Sequence, residues 1–263
     1  MTTPRLRLPH RGWLFDLDGT VYRGEALIPG ARETILALRA AGRRVVFLSN
    51  KPLQTREDYA LKLTGLGIPT RADEVISSSL VLVRHLAVLD PGAPVFVIGE
   101  PPLIAELAAT GFEVRRDHQV RWVVIAFDRT FDYAKLNTAL QAVRGGAGLI
   151  ATNPDRTCPT EHGEIPDCAG MIAAVEAVTG RAVEIIVGKP SPIILEVALA
   201  TLGVEAADCV VVGDRLETDI VMGKRRGLGT VLVLSGITRP DDPRIAEINP
   251  DAVIGSIREL IQP

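Results

Sequence analysis

Apolar residues in this chain gather into short runs instead of alternating with polar ones. The runs fall at Trp13–Phe15, Val45–Leu48, Val95–Ile98, Trp122–Phe127, Leu149–Thr152, Val183–Val187, Cys209–Val212 and Val231–Leu234. Runs of this length, rich in β-branched residues, predict strands buried on both faces, as in a parallel sheet covered by helices. Between them lie segments with helical spacing and clear punctuation. Ala31–Ala41 sets Ile35, Leu36 and Leu38 along one side and stops at Gly42. Ser191-Pro192 reads as N-cap and first helical residue, ahead of Ile193, Ile194, Val197 and Ala198. Asp132 predicts the cap of a helix that runs to Gly145-Gly146. The expected fold is α/β, with a doubly wound parallel-sheet core.

At 263 residues, the chain suits one large domain or two smaller ones. Its 47% hydrophobic content supports a sizeable core and argues against disorder. The net charge is −3, with acids and bases intermixed and no basic block, so no nucleic-acid partner is expected. The apolar runs are far short of a spanning helix, so no membrane role is expected. Met1–Gly12 has several Arg but no apolar signal region. The three cysteines, Cys158, Cys168 and Cys209, form no CxxC pair, and Cys209 opens an apolar run as a core residue would. These features lead to the expectation of a reduced, cytoplasmic setting. No repeat or long linker divides the chain, so a second domain must be inserted between core elements. The stretch Gly145–Gly148 follows a helix and precedes a strand, the reverse of a dinucleotide-binding turn.

Four polar constellations close apolar runs. In Phe15-Asp16-Leu17-Asp18-Gly19-Thr20, acids at i and i+2 of extended chain point the same way. Two like charges about 4 Å apart repel by roughly 4 kcal/mol at an effective dielectric of about 20, so such a pair needs a cation or a shared proton. Gly19 lets the backbone leave the strand sharply. It comes too early for a calcium-binding EF-hand loop, which would also need Glu at its twelfth position. The segment Val212-Gly213-Asp214-Arg215-Leu216-Glu217-Thr218-Asp219 repeats the design. If the two strands are neighbours, Asp214 joins Asp16 and Asp18, and their oxygens with waters and a phosphate oxygen make an octahedral magnesium site. Asp219 is placed to orient a bound water or to serve as an ordinary helix N-terminal acid. Ser49 and Asn50 close a third run, where a hydroxyl and an amide can donate to phosphoryl oxygens. In the fourth, Gly188-Lys189-Pro190-Ser191, Lys189 can neutralise a nucleophilic carboxylate and a transferred phosphoryl group. Each group sits at the carboxyl end of a predicted parallel strand, where ligands of open α/β sheets bind.

With these motifs in this order the chain resembles the haloacid dehalogenase superfamily. The matches are Asp16-Leu17-Asp18-Gly19-Thr20, Ser49, Lys189, and Asp214 with Asp219. The segments Ile150–Asp155, Gly188–Pro192 and Gly213–Ile220 resemble its branch with a large α/β cap, which includes para-nitrophenylphosphatases. Val75–Ser79 and Ile165–Met171 further resemble the sugar phosphatase of arabinose operons. The resemblance implies a discontinuous Rossmann-like core, 1–78 and 182–263, with a cap inserted over 79–181. Many members have a Pro-Gly-rich turn where this chain has Ile165-Pro166-Asp167-Cys168-Ala169-Gly170, a departure that falls within the cap.

The activity implied is a magnesium-dependent phosphatase acting on small phosphate esters, sugar phosphates foremost, through an aspartyl phosphate. Asp16 would be the nucleophile and Asp18 the acid and base. Haloacid dehalogenases proper lack the second aspartate, so Asp18 argues for phosphoryl over halide displacement. The Asp16 side chain, the Asp18 backbone carbonyl and Asp214 would hold Mg2+, while Ser49, Asn50 and Lys189 stabilise the transferring oxygens. Asn153, Asp155 and His162 fall in a polar loop of the cap and are candidates for contacting substrate, or for a solvated loop. Dimers through the cap are common in this branch, so a homodimer is compatible with the resemblance. A phosphosugar mutase of the same superfamily is one alternative. A receiver-type signalling module is another, but receivers are about half this length, and the long stretch between Ser49 and Lys189 speaks for a cap.

Overall fold

The computed structural model describes residues 5, 6, 9–160 and 163–262. Its main strands, in chain order, are β1 (Gly12–Asp16), β2 (Arg44–Ser49), β3 (Val75–Ser77), β4 (Pro94–Ile98), β5 (Glu113–Arg115), β6 (Trp122–Ile125) and β7 (Gly148–Ala151). There follow β8 (Thr157–Thr160), β9 (Gly163–Pro166), β10 (Ile185–Ile186), β11 (Cys209–Gly213), β12 (Gly229–Val233) and β13 (Ala252–Ile254). The main helices are α1 (Ala31–Ala40), α2 (Arg56–Gly65), α3 (Ser78–Leu89), α4 (Pro101–Ala109), α5 (Tyr133–Arg144), α6 (Cys168–Thr179) and α7 (Pro192–Leu202).

The punctuation acts as the sequence predicts. Gly42, at φ +70°, follows α1. Asp132 caps α5 by accepting from Lys135 N, and Ser191 caps α7 by accepting from Ile193 N. The run at Trp122 is shorter than its apolar stretch: pairing stops at Ile125, and Ala126 and Phe127 continue as buried loop. Cys209 is fully buried in β11, as expected of a core residue.

Two parallel sheets result. The first has the order β13-β12-β11-β1-β2-β3, and the second β10-β7-β6-β4-β5. Every residue of β1 and β11 is buried, which explains their unbroken apolar runs. The two lie side by side, Gly12 opposite Cys209 and Phe15 opposite Val212. Here the first sheet reverses its winding: the chain steps outward through β2 and β3 on one side and through β12 and β13 on the other. The carboxyl end of such a junction is a natural cleft for ligands.

The second sheet lies in sequence between β3 and β11. Ile185 and Ile186, just past the expected division at 181/182, pair with Ile150 and Ala151, so this strand belongs to the second sheet and the chain returns to the first beyond it. At the earlier edge, α3 packs against both α4 and α7. Its Val81, Leu82 and Leu86 share one apolar cluster with Leu14 and Val46 of the first sheet and Val95 and Val124 of the second.

Candidate active site

The acids that follow β1 part company at once. Asp16, 8% exposed, turns toward the β1/β11 junction, where its Oδ1 accepts from Lys189 Nζ at 2.5 Å. Asp18 instead faces Lys51 Nζ at 3.7 Å. The crowding expected of an i, i+2 pair is thus relieved by a separate cation for each carboxylate. Burial pushes the Asp18 carboxyl up, with Lys51 opposing and Asp16 adding to the rise.

Asp214 closes β11 as Asp16 closes β1. Its Oδ2 accepts from Ile237 N at 2.7 Å. Two glycines make room for it. A Cβ on Gly236 would sit 1.8 Å from Asp214 Oδ2, and one on Gly19 would sit 2.5 Å away. Gly19 also has φ +94°, a conformation that side chains disfavour. Asp219, expected at the margin as a water-orienting acid, lies inside the cluster, fully buried, with Oδ1 2.7 Å from Lys189 Nζ. Burial pushes its carboxyl up to about 6 against the pull of Lys189. Burial and the neighbouring Asp16 raise Asp214 well above the usual carboxylate range. Burial pulls the Lys189 ammonium down, but Asp16 and Asp219 outweigh it and hold it charged.

Carboxylate oxygens of Asp16, Asp214 and Asp219 lie within 4.8 Å of one another, all three residues buried. Among the described residues, Lys189 is the one cation hydrogen-bonded to these three acids, and Asp16 Oδ2 has no hydrogen-bond partner. An all-oxygen donor set with surplus negative charge and an orphaned oxygen fits a hard divalent cation.

Lys189 does not come from the first sheet. It follows β10 of the second, so the carboxyl edges of both sheets face one cleft. Asn50 joins them. Its Oδ1 accepts from Lys189 N at 2.8 Å, and its Nδ2 donates to Asp155 Oδ2 at 2.8 Å and to Lys189 O at 3.0 Å. Both amide protons are used. Asn50, which also lines the chamber, thus clamps the two layers together. Ser49, closing β2, keeps its hydroxyl in the cleft with Tyr59 OH at 3.3 Å.

The narrow chamber at the centre, of about 40 Å³, is lined by Asp16, Asp18, Ser49 and Lys189 on the reacting side. Lys51, Asp155, Cys158, Asp167 and Arg215 line the rest. Asp18, Lys51 and Pro159 are shared with a wider cleft of about 550 Å³. Asn153 does not line the chamber. It is fully buried, and its Nδ2 braces Asp155 and Asp167 from behind. His162 lies outside the described residues. Lys51, Asp167 and Arg215 had escaped the sequence reading. Lys51 directly follows the Ser49-Asn50 motif and Arg215 follows Asp214, so adjacency was the signal available. Asp167 stands at the departure from the Pro-Gly turn, as the N-cap of α6.

Residues 13–113 match the family model for haloacid dehalogenase-like hydrolases, and residues 186–260 match a second, HAD-hydrolase-like model. The chain is 41% identical to the sugar-phosphatase AraL of Bacillus subtilis, across 95% of this chain and 91% of that protein. It is 34% identical to an acid sugar phosphatase of Staphylococcus saprophyticus, across 96% and 97%. Among solved structures, the p-nitrophenyl phosphatase of Archaeoglobus fulgidus superposes with a TM-score of 0.89 at 34% identity, covering 96% of this chain and 98% of that one. The 4-nitrophenylphosphatase of Thermotoga maritima gives a TM-score of 0.90 at 35% identity, covering 96% of each.

Proposed function

Because this chain belongs to the haloacid dehalogenase-like hydrolases and is a phosphoric monoester hydrolase, we propose that it releases phosphate from sugar phosphates through an aspartyl phosphate on Asp16. The observation that carries this reading is the state of Asp16. Lys189 fixes one of its oxygens and leaves the other unpartnered, in a residue that lines the chamber. In the proposed reaction Asp16 Oδ2 attacks phosphorus and the bond to the sugar oxygen breaks. Asp18 gives that oxygen its proton, then takes one from the water that attacks phosphorus, which breaks the bond to Asp16, frees phosphate and restores the carboxylate. Lys189 and Ser49 offset charge on the transferring oxygens. Asp219 holds Lys189 in place. Asp16, Asp214 and the Asp18 carbonyl would hold Mg2+, whose charge lets a carboxylate and a phosphate approach.

The second sheet and its helices, in this reading, act as a cap over the leaving group, and the similarity to two sugar phosphatases supports a sugar there. The three free, buried cysteines fit work in the cytoplasm. No helix among the described residues is long and apolar enough to cross a membrane.

The test is phosphate release from a panel of sugar phosphates and p-nitrophenyl phosphate, with and without magnesium, for the wild type and Asp16→Asn. The wild type should turn over steadily. Asp16→Asn should fold and lose turnover by roughly 10⁴-fold or more. Turnover that survives in this variant would remove Asp16 as the nucleophile.

A further inference from the structure

One wall of the narrow chamber plays no part in the phosphoryl chemistry. Asp155 follows β7 and Asp167 precedes α6, at 8% and 4% exposure. A single carboxamide braces both: Asn153 Nδ2 lies 2.8 Å from Asp155 Oδ2 and 3.1 Å from Asp167 Oδ1. Asn50 Nδ2 donates to the same oxygen of Asp155 at 2.8 Å, and Cys168 N to the same oxygen of Asp167 at 2.5 Å. Each carboxylate is therefore anchored through one oxygen. Among the described residues, Asp155 Oδ1 and Asp167 Oδ2 accept no hydrogen bond, and both residues line the chamber that holds Asp16 and Asp18. Arg215, whose Nη2 donates to Thr157 O at 2.6 Å, stands on the same wall.

An ionised carboxylate oxygen accepts hydrogen bonds and donates none. Two such free oxygens, on anchored residues that line a space this small, suit a ligand that brings O–H donors close to the reacting ester. A polyol does so; an aryl or simple alkyl alcohol does not. We propose that Asp155 and Asp167 form a hydroxyl-binding subsite, selecting esters with a free hydroxyl on the carbon next to the phosphorylated one. This rests on the sugar-phosphate reading above and adds the residues that would enforce it. The rest of a longer sugar would extend into the wider cleft beside Asp18 and Lys51.

Glycerol 1-phosphate and n-propyl phosphate differ in such hydroxyls and little else. Asp167→Asn keeps an oxygen for Cys168 N and puts an NH2 group in place of the free acceptor. Asp155→Asn does the same on the neighbouring residue and serves if the first variant folds poorly, as judged by thermal unfolding. The wild type should favour glycerol 1-phosphate over n-propyl phosphate by about tenfold or more in kcat/KM, through KM above all. Either variant should bring that ratio close to one, with kcat/KM falling far more for glycerol 1-phosphate than for p-nitrophenyl phosphate. If the wild type prefers sugar phosphates and both variants keep that preference, the subsite is wrong and the substrate class stands. If the wild type hydrolyses p-nitrophenyl phosphate but shows no preference for hydroxylated esters, both fall together. An equal loss on every substrate would also overturn the subsite, since it would mark damage to the shared chemistry.

Discussion

Lys189 is the cation at the heart of the acidic cluster. It is 2% exposed and touches two of three clustered, buried carboxylates. Removing one partner of a buried charge pair costs about 3–5 kcal/mol, because the other charge stays behind unpaired. Lys189→Met should therefore unfold at markedly lower urea than wild type in metal-free buffer. Magnesium should restore more stability to the variant than it adds to the wild type, since cation binding to the native state is stabilising. Equal urea midpoints without metal would contradict this account of the cluster. The acids and the lysine were legible in the sequence because each directly follows an apolar run. The true partner of Asn50 was not, because Asp155 lies 105 positions away and only the fold brings them together.

At the level of elements, the long buried strands and several capped helices were readable, and of the short edge strands only Ile185–Ile186, inside the Val183–Val187 run, was. Val75–Ser77, Glu113–Arg115 and Ala252–Ile254 have three residues each, too few for a run to stand out. The hairpin β8/β9 contains Pro159 and Pro166, which argue against a strand on sequence grounds. Yet this hairpin supplies Cys158 to the chamber and leads into α6. The cap of α6 has a pH signature. Burial, then the charge of Asp155, pushes the Asp167 carboxyl from 3.8 up to about 6. The native state thus binds this proton more tightly than the unfolded chain. The resulting stability is complete below about pH 3.8 and is lost as pH rises through about 6. A shift of this size is worth up to about 3 kcal/mol. Asp167→Asn removes it, so the variant should gain on wild type by as much as that between pH 4 and pH 7. Urea midpoints that track each other across this range would show that Asp167 titrates normally.

Over the whole molecule, the alternation of apolar runs with helical segments foretold an α/β architecture, and the absence of a long linker led to the expectation of an insertion. What it could not convey was that two parallel sheets aim their carboxyl edges at one cleft, because strand pairing is decided by partners far apart. The same topology has a consequence for how the chain is made. β1, the strand that leads into Asp16, is paired on one side by β2, about 30 residues later, but on the other by Cys209–Gly213, near the far end of the polypeptide. During synthesis β1, β2 and β3 can associate early, while the outer hydrogen-bonding groups of an entirely buried strand wait for most of the remaining chain to emerge. An unpaired edge of this kind is a template for association between nascent molecules. A fragment comprising residues 1–204 should accordingly aggregate on refolding, where the complete chain does not; a soluble, monomeric fragment would mean that the insertion shields the edge in the meantime.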